Sequence, residues 1–258
     1  MNNIHQTAIV SSKAKLGDNI VVSPYAIIED DVEIGNDCEI GPHATIYNGA
    51  RLGNRVKIKQ AAAVSNVSQD LKYAGEEAYF YVGDDSVIRE YVTLHKGTAE
   101  TGFSRVGKNC LLMAYSHVAH DVVVGDNCII ANSVQIAGHV NIEDYVIIGG
   151  STPVHQFCNV GQHSMIGGGF RIVKDVPPYV MGGSEPLRFS GLNLIGLRRR
   201  GFSNDDIMTL KKAYQILYYS GLNFSEALDK ISEELGENQY VQNVIKFVKN
   251  SSRGIFGR

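Results

Sequence analysis

Two histidines and an aspartate fall within five positions at 117–121, in the run "HVAHD". His120 and Asp121 make the pairing that base catalysis uses. A neutral imidazole, with a reference pKa of ~6.5, can take a proton from an alcohol near pH 7. A neighbouring carboxylate can fix its tautomer and stabilise the imidazolium that forms. Eighteen residues beyond His120 stands Gly138, and eighteen further is Gln156; the same step from Asp121 reaches His139. His117 opens the run and His155 adjoins Gln156. A base, its carboxylate and a bare glycine N–H that could receive an oxyanion are the parts that acyl transfer to a hydroxyl requires. These residues meet only if the chain returns to the same place every eighteen positions.

The scaffold around them repeats with a period that provides this return. Stepping by six from Ile4 gives Val10, Leu16, Val22, Ile28, Ile34, Ile40, Ile46, Leu52, Ile58 and Val64, all aliphatic. The step resumes at Val82, Ile88 and Leu94, then runs unbroken from Val106 to Ile172. Four places after the aliphatic the residue is usually small or β-branched, as at Ala8, Ala14, Ala26, Val32, Cys38, Ala44 and Ala50. Helices do not repeat every six residues, whereas short strands joined by tight turns do. Gly often follows the aliphatic directly, as at 17, 35, 41, 53, 107, 125 and 161, and is expected to serve turns of positive φ. The fold expected is a parallel β-solenoid with one continuous core.

On this frame Cys38, Cys110, Cys128 and Cys158 all take the small inward position, so none is a good nucleophile. With no reactive Cys or Ser motif, direct attack in a ternary complex is favoured over an acyl-enzyme. Two segments, 65–81 and 96–105, break the period and are read as loops thrown out from the coil, where function often resides. Pro177-Pro178 closes the repeat. Beyond it, Ser203 is positioned to cap a helix carrying Asp205 and Asp206 in its first turn and an apolar face of Ile207, Leu210, Tyr214 and Leu217. Gly221 stops it, Ser225 starts another helix, and a third runs from about 237 to 250. The organisation expected is a β-helix over 1–178 and a small α-helical domain over 186–258.

Composition narrows the function classes. Hydrophobic content of 44% and charged content of 20% are those of an ordinary globular chain, and a net charge of −3 argues against nucleic-acid binding. Residues 186–258 hold 11 Lys/Arg against 7 Asp/Glu, while 1–185 hold 13 against 20, so a basic tail follows an acidic body. The N-terminus lacks a signal-peptide pattern, and no apolar run approaches the ~18 residues of a membrane span. A cytoplasmic location is expected.

The hexads resemble those of the hexapeptide-repeat acyltransferases, whose fold is a left-handed parallel β-helix; general rules for parallel crossovers alone would favour the right hand. The resemblance sharpens with "QDLKYAG" (69–75), "HVAHD" (117–121), "AGHV" (137–140), "VHQF" (154–157), "DVPPYV" (175–180) and "GLRRRGF" (196–202). Together these resemble the UDP-N-acetylglucosamine 3-O-acyltransferases of lipid A biosynthesis over nearly the whole chain. The resemblance implies a homotrimer with sites between neighbouring prisms, moving a 3-hydroxyacyl chain from acyl carrier protein to the glucosamine 3-hydroxyl without a cofactor or metal. It makes His120 the general base, Asp121 its orienting group and Gly138 N–H the oxyanion donor. Asp70, Lys72, His117, His139, His155 and Gln156 become acceptor-side residues, and Asn193, Arg199 and Arg200 lie near the nucleotide and its diphosphate. Gly168 matches the position that limits acyl length, so a myristoyl-like or longer chain is expected. Ile195, where the family pattern carries a glutamate, and the divergent "GFR" (169–171) and "GGSEPLRFSG" (182–191) are departures.

Rival readings are a 3-amino acceptor on the same scaffold, a γ-type carbonic anhydrase and a non-catalytic structural trimer. His117-x-x-His120 does not match the zinc-ligand spacing of the carbonic anhydrases, and the sister N-acyltransferase carries an N-terminal domain ahead of its hexads.

Overall fold

The computed structural model describes residues 1–257. From Asn3 to Ile166 the chain winds through short strands, most of two residues, into three sheets, numbered in the order the chain first enters them, whose coil-to-coil pairings are all parallel. It is a left-handed β-helix of triangular section. Val118 pairs with Ile136 and Ile136 with Val154, the register of eighteen. Where a loop intervenes the step lengthens, so that Ile58 pairs with Ile88 and Leu94 with Val118.

The aliphatic of each hexad points inward, and from Val22 to Ile172 this column is buried. The first coil has nothing beneath it, which leaves Ile4 43% exposed. The four cysteines lie inside as expected. Their thiols turn to backbone carbonyls, Cys38 to Gly53 O at 3.1 Å and Cys110 to Gly125 O at 3.1 Å. Burial pushes the Cys158 thiol up to about 11, far from thiolate chemistry at neutral pH.

The hexad glycines do a different job from the one expected. Positive φ falls two residues later, on Asn19, Asp37, His43, Arg55, Asn109, Asn127 and His163. The glycines are needed because coils stack backbone to backbone there. A Cβ on Gly35 would lie 2.6 Å from Gly53 O. Left-handed conformations cost non-glycine residues roughly 1–3 kcal/mol, and stacking along the edges offsets part of this. Tyr145 stacks on His163 at 4.7 Å, Tyr91 on Tyr115 at 5.0 Å and His139 on Phe157 at 4.6 Å. Gly35→Ala is therefore expected to lose about 1–3 kcal/mol, the usual range for overpacking. Chemical denaturation would read this as a lower midpoint, and an unchanged midpoint would remove close stacking as the reason for glycine.

Both inserted segments end in strand rather than remaining loop throughout. Asn66 closes one strand, Tyr79–Val82 forms the next, and Phe103–Val106 pairs with it through Tyr79↔Phe103 and Tyr81↔Arg105. Alternation of Phe80 and Val82 inward with Tyr79 and Tyr81 outward explains why these residues join the sheet. The loops proper are 67–78 and 96–102.

Beyond the prism a hairpin of Val180–Gly183 and Arg188–Leu192 extends the first sheet, so the helical domain expected over 186–258 opens with a strand and its helices begin only at Leu194. Four helices follow: α1 (Leu194–Arg199), α2 (Asn204–Tyr219), α3 (Phe224–Leu235) and α4 (Gln239–Asn250). Ser203 caps α2. For α3 the cap is Asn223, in a box with Glu226, so the helix begins one residue before Ser225. Tyr214 of α2 anchors this region to the prism, its hydroxyl donating to Pro178 O at 2.6 Å. Among the described residues no helix is long and apolar enough to cross a membrane.

Candidate active site

The edge where the second sheet turns into the third carries two adjacent columns, 120/138/156 and 121/139/157. Asp121, His139 and Phe157 all sit there with positive φ. Asp121 is folded into the edge with its side chain fully covered, while His120 lies over it, 14% exposed. His120 Nδ1 and Asp121 Oδ2 are 2.8 Å apart. Burial opposes the Asp121 charge, but hydrogen bonds from Thr101, the Thr98 N–H and His120 outweigh it and hold the carboxyl below its ordinary value. An ionised Asp121 can only accept, so Nδ1 of the neutral His120 carries the proton and Nε2 keeps its lone pair. That Nε2 lies 4.0 Å from Asp70 Oδ2.

Gly138 lies directly beneath the imidazole. A Cβ there would stand 2.6 Å from His120 Cε1 and 2.7 Å from Nε2, so any side chain would displace the imidazole. Among the described residues the Gly138 N–H donates to nothing. His139 meets His120 edge-on at 5.1 Å, its Nε2 3.9 Å from Asp121 Oδ2 and 3.7 Å from Glu100 Oε2.

A cleft of about 590 Å³ opens above this group, lined by Asp70, Lys72, Thr98, His120, His139 and Gln156 among others. Loop 67–78 supplies Asp70 and Lys72, and loop 96–102 supplies Thr98, Ala99 and Glu100. Glu76 stitches the loops together, accepting from Ala99 N at 3.0 Å and from Ala74 N at 2.8 Å. Ligating atoms of His120, Asp121 and His139 lie within 4.8 Å of one another, a spacing a metal ion could span. Asp121 Oδ2 is already engaged by His120 and by the Thr98 hydroxyl, and His117 is not in the set. The arrangement as built is a hydrogen-bonded dyad.

The remaining expected residues are placed elsewhere. His117 lies outside the cleft lining, against Thr93 Oγ1 (2.8 Å) and edge-on to the buried His95 (5.0 Å). His155 is exposed outside the cleft lining, its Nδ1 3.0 Å from Gln156 O. Asn193 is buried and caps α1, accepting from Gly196 N at 3.2 Å and donating to His163 O at 2.9 Å. Arg200 rests over the Tyr145 ring at 5.2 Å. Tyr145 and His163 mark the edge between the third and first sheets, so Asn193, Arg199 and Arg200 belong there and not beside His120. Gly168 lies where the first sheet ends, its absent Cβ 3.0 Å from Gly150 O. Ile195 is 66% exposed on α1. One chain therefore carries the expected site in pieces on separate edges.

The sequence reading missed Thr98, Thr101, Glu76 and Glu100. They sit in aperiodic loops, where only the contact with Asp121 or the cleft gives them meaning.

Two histidines, His163 buried and His117 half-buried, set an acid sensitivity. His163 is lowered to about 4 by burial and then by the Arg200 charge. His117 is lowered to about 4 by burial and then by the charges of His95 and His120. The unfolded chain binds these protons near the ordinary 6.5, the folded chain only near 4. Their contribution to stability is therefore complete above ~6.5 and lost as pH falls towards ~4. His163→Phe, which keeps the ring stack, is expected to shrink the fall in denaturation midpoint across that window. An unchanged fall would assign the sensitivity to other groups.

Comparison with known proteins places the chain among relatives. A family model described as Udp N-acetylglucosamine O-acyltransferase, domain 2, matches residues 175–256. The bacterial transferase hexapeptide model matches residues 13–48 and 103–138. An acyl-(acyl-carrier-protein)–UDP-N-acetylglucosamine O-acyltransferase from Sulfurihydrogenibium sp. is 57% identical over 99% of this chain and 94% of its own length. One of the same name from Chlorobaculum parvum is 56% identical over 98% of this chain and 97% of its own. The solved UDP-N-acetylglucosamine acyltransferase of Bacteroides fragilis superposes with a TM-score of 0.97 at 44% identity, covering 98% of this chain and 99% of that one. That of Arabidopsis gives 0.83 at 32% identity, covering 99% and 100%.

Proposed function

This chain belongs to the acyl-(acyl-carrier-protein)–UDP-N-acetylglucosamine O-acyltransferase family, and from that premise we propose that it transfers a 3-hydroxyacyl chain from acyl carrier protein to the 3-hydroxyl of UDP-N-acetylglucosamine, the first step of lipid A biosynthesis. The observation that carries the mechanism is the His120–Asp121 pair, with Nδ1 held at 2.8 Å and Nε2 left to the cleft. The acceptor hydroxyl attacks the thioester carbonyl while His120 Nε2 takes its proton. The tetrahedral oxyanion forms against Gly138 N–H. Its collapse breaks the C–S bond, and the departing carrier thiolate recovers the proton from His120. No acyl-enzyme intervenes, since every cysteine is buried.

Asp70, Lys72, His139 and Gln156 line the cleft and suit the acceptor's polar groups. His117 and His155 lie outside the single-chain cleft lining and would meet substrate only beyond it. Arg200 Nη1 is buried without a partner among the described residues, and burial lowers the guanidinium pKa. A diphosphate would satisfy it, with Arg199 adjacent in the chain, while Asn193 holds the start of α1 by its cap. Because this group sits on a different edge from His120, a second copy must supply it if both serve one substrate. That supports a homotrimer with sites between prisms. The basic C-terminal region suits an acidic carrier protein, and the family position that Gly168 matches points to a myristoyl-like or longer chain.

The test is transfer from a panel of 3-hydroxyacyl carrier proteins to UDP-N-acetylglucosamine, with the new ester located by NMR. Acylation of the 3-hydroxyl supports the reading and the best donor fixes the chain length. Transfer only to a 3-amino analogue would replace the acceptor, and no transfer to either by folded protein would sink the assignment.

A further inference from the structure

We infer that Thr98 and Thr101 are positioning residues for the His120–Asp121 pair, and that loop 96–102 is the device that holds the base in its working orientation. The inference rests on the catalytic reading of His120. Asp121 is the only acid in the site whose side chain has no exposure, and a buried carboxylate without partners would take up a proton. Here four donors converge on its two oxygens. Oδ1 receives the Thr98 N–H at 3.0 Å and the Thr101 hydroxyl. Oδ2 receives the Thr98 hydroxyl at 2.8 Å and His120 Nδ1 at 2.8 Å. Three of the four come from one loop, and the fourth is the base itself.

A carboxylate offers about four lone-pair directions, so this set fills it and leaves Asp121 no alternative rotation. Thr101 Oγ1 also reaches Phe103 O at 2.8 Å, but it has one proton, and an anion is the stronger acceptor. The loop is shaped for this contact. At Gly97 a Cβ would lie 2.4 Å from Phe103 N, so glycine lets the loop double back over Asp121. Glu76, accepting from Ala99 N at 3.0 Å, ties the loop to the segment that carries Asp70 and Lys72. Neither threonine is needed to bind substrate in this account. Each acts on the base through Asp121.

Removing the two threonine hydroxyls leaves Asp121 with only the Thr98 N–H and His120 as donors. The carboxylate then holds the dyad's proton more tightly, so the acidic limb of kcat/KM should move to higher pH. It also frees the pair to tilt, and a displacement of ~1 Å costs about 10²-fold in rate. The test uses full-length Thr98→Val, Thr101→Val and the double variant, which keep β-branched shape, beside Thr98→Ser and Thr101→Ser. Expected for the double valine variant are a kcat loss of about 10- to 10²-fold, KM for both substrates little changed, and the displaced acidic limb. The serine variants should recover most of the rate and the native limb.

Thr101 is exposed, so Thr101→Val keeps the test available if the double variant does not fold. Native kcat and an unmoved limb in Thr101→Val and Thr98→Val would overturn the inference. So would a rate loss with the limb in place and no recovery by serine, which is the pattern of general loop damage. If His120→Ala itself keeps full activity, the catalytic reading has failed and not merely the positioning.

Discussion

His120→Ala is expected to keep its melting temperature and lose about 10²- to 10⁴-fold in turnover, the usual contribution of a positioned general base. The fold should survive because His120 lies on an edge over Gly138 and contributes nothing to the aliphatic core. KM for the nucleotide sugar should change much less than kcat, since Asp70, Lys72, His139 and Gln156 remain in the cleft. Steady-state kinetics with both substrates varied reads the split directly. A loss confined to KM would make His120 a binding residue.

The second large effect is at Gly138, where Ala is the smallest change available. Its methyl carbon would stand 2.6 Å from His120 Cε1, closer than carbon atoms tolerate. The imidazole must move, because the atom it meets is fixed to the backbone. Moving the ring breaks the 2.8 Å contact with Asp121 and carries Nε2 away from the N–H that would receive the oxyanion. Gly138→Ala should therefore lower kcat by about 10²- to 10³-fold, comparable with loss of an oxyanion donor. Combining it with His120→Ala should add little, because the two act as one unit. Additive losses in the double variant would mean that Gly138 serves something other than the base.

The residues that were legible in the sequence are those tied to the repeat. A period of six fixes which aliphatics point inward, and a step of eighteen puts Gly138 under His120. The cysteines fall inside for the same reason. The glycines after each aliphatic were misassigned because sequence does not separate two uses of glycine, positive φ and close approach. Here most left-handed positions of non-glycine residues belong to Asn, Asp, Tyr, His and Ser, and stacked rings make the aromatic ones tolerable. The hairpin at 180–192 and helix α1 were missed where the period stops and no second period begins.

Loop residues were the other blind spot. Thr98 and Thr101 carry no periodic signal, and their role appears only when the loop folds back on Asp121. Asn193 shows the opposite case: the motif marked it for a nucleotide, while the structure engages its side chain in capping α1 and in a bond to His163 O. The pieces on the two other edges, Arg200 and Gly168, could be named from sequence but not gathered, because one chain does not gather them.

The central claim is that His120 removes the proton from the attacking hydroxyl, and the pH dependence of kcat/KM in wild type and His120→Ala tests it most directly. The account predicts an acidic limb in wild type, where protonation of the base stops transfer to UDP-N-acetylglucosamine. It predicts that the residual rate of His120→Ala lacks that limb. A variant that keeps both the limb and the rate would contradict it and assign the proton to another group in the cleft.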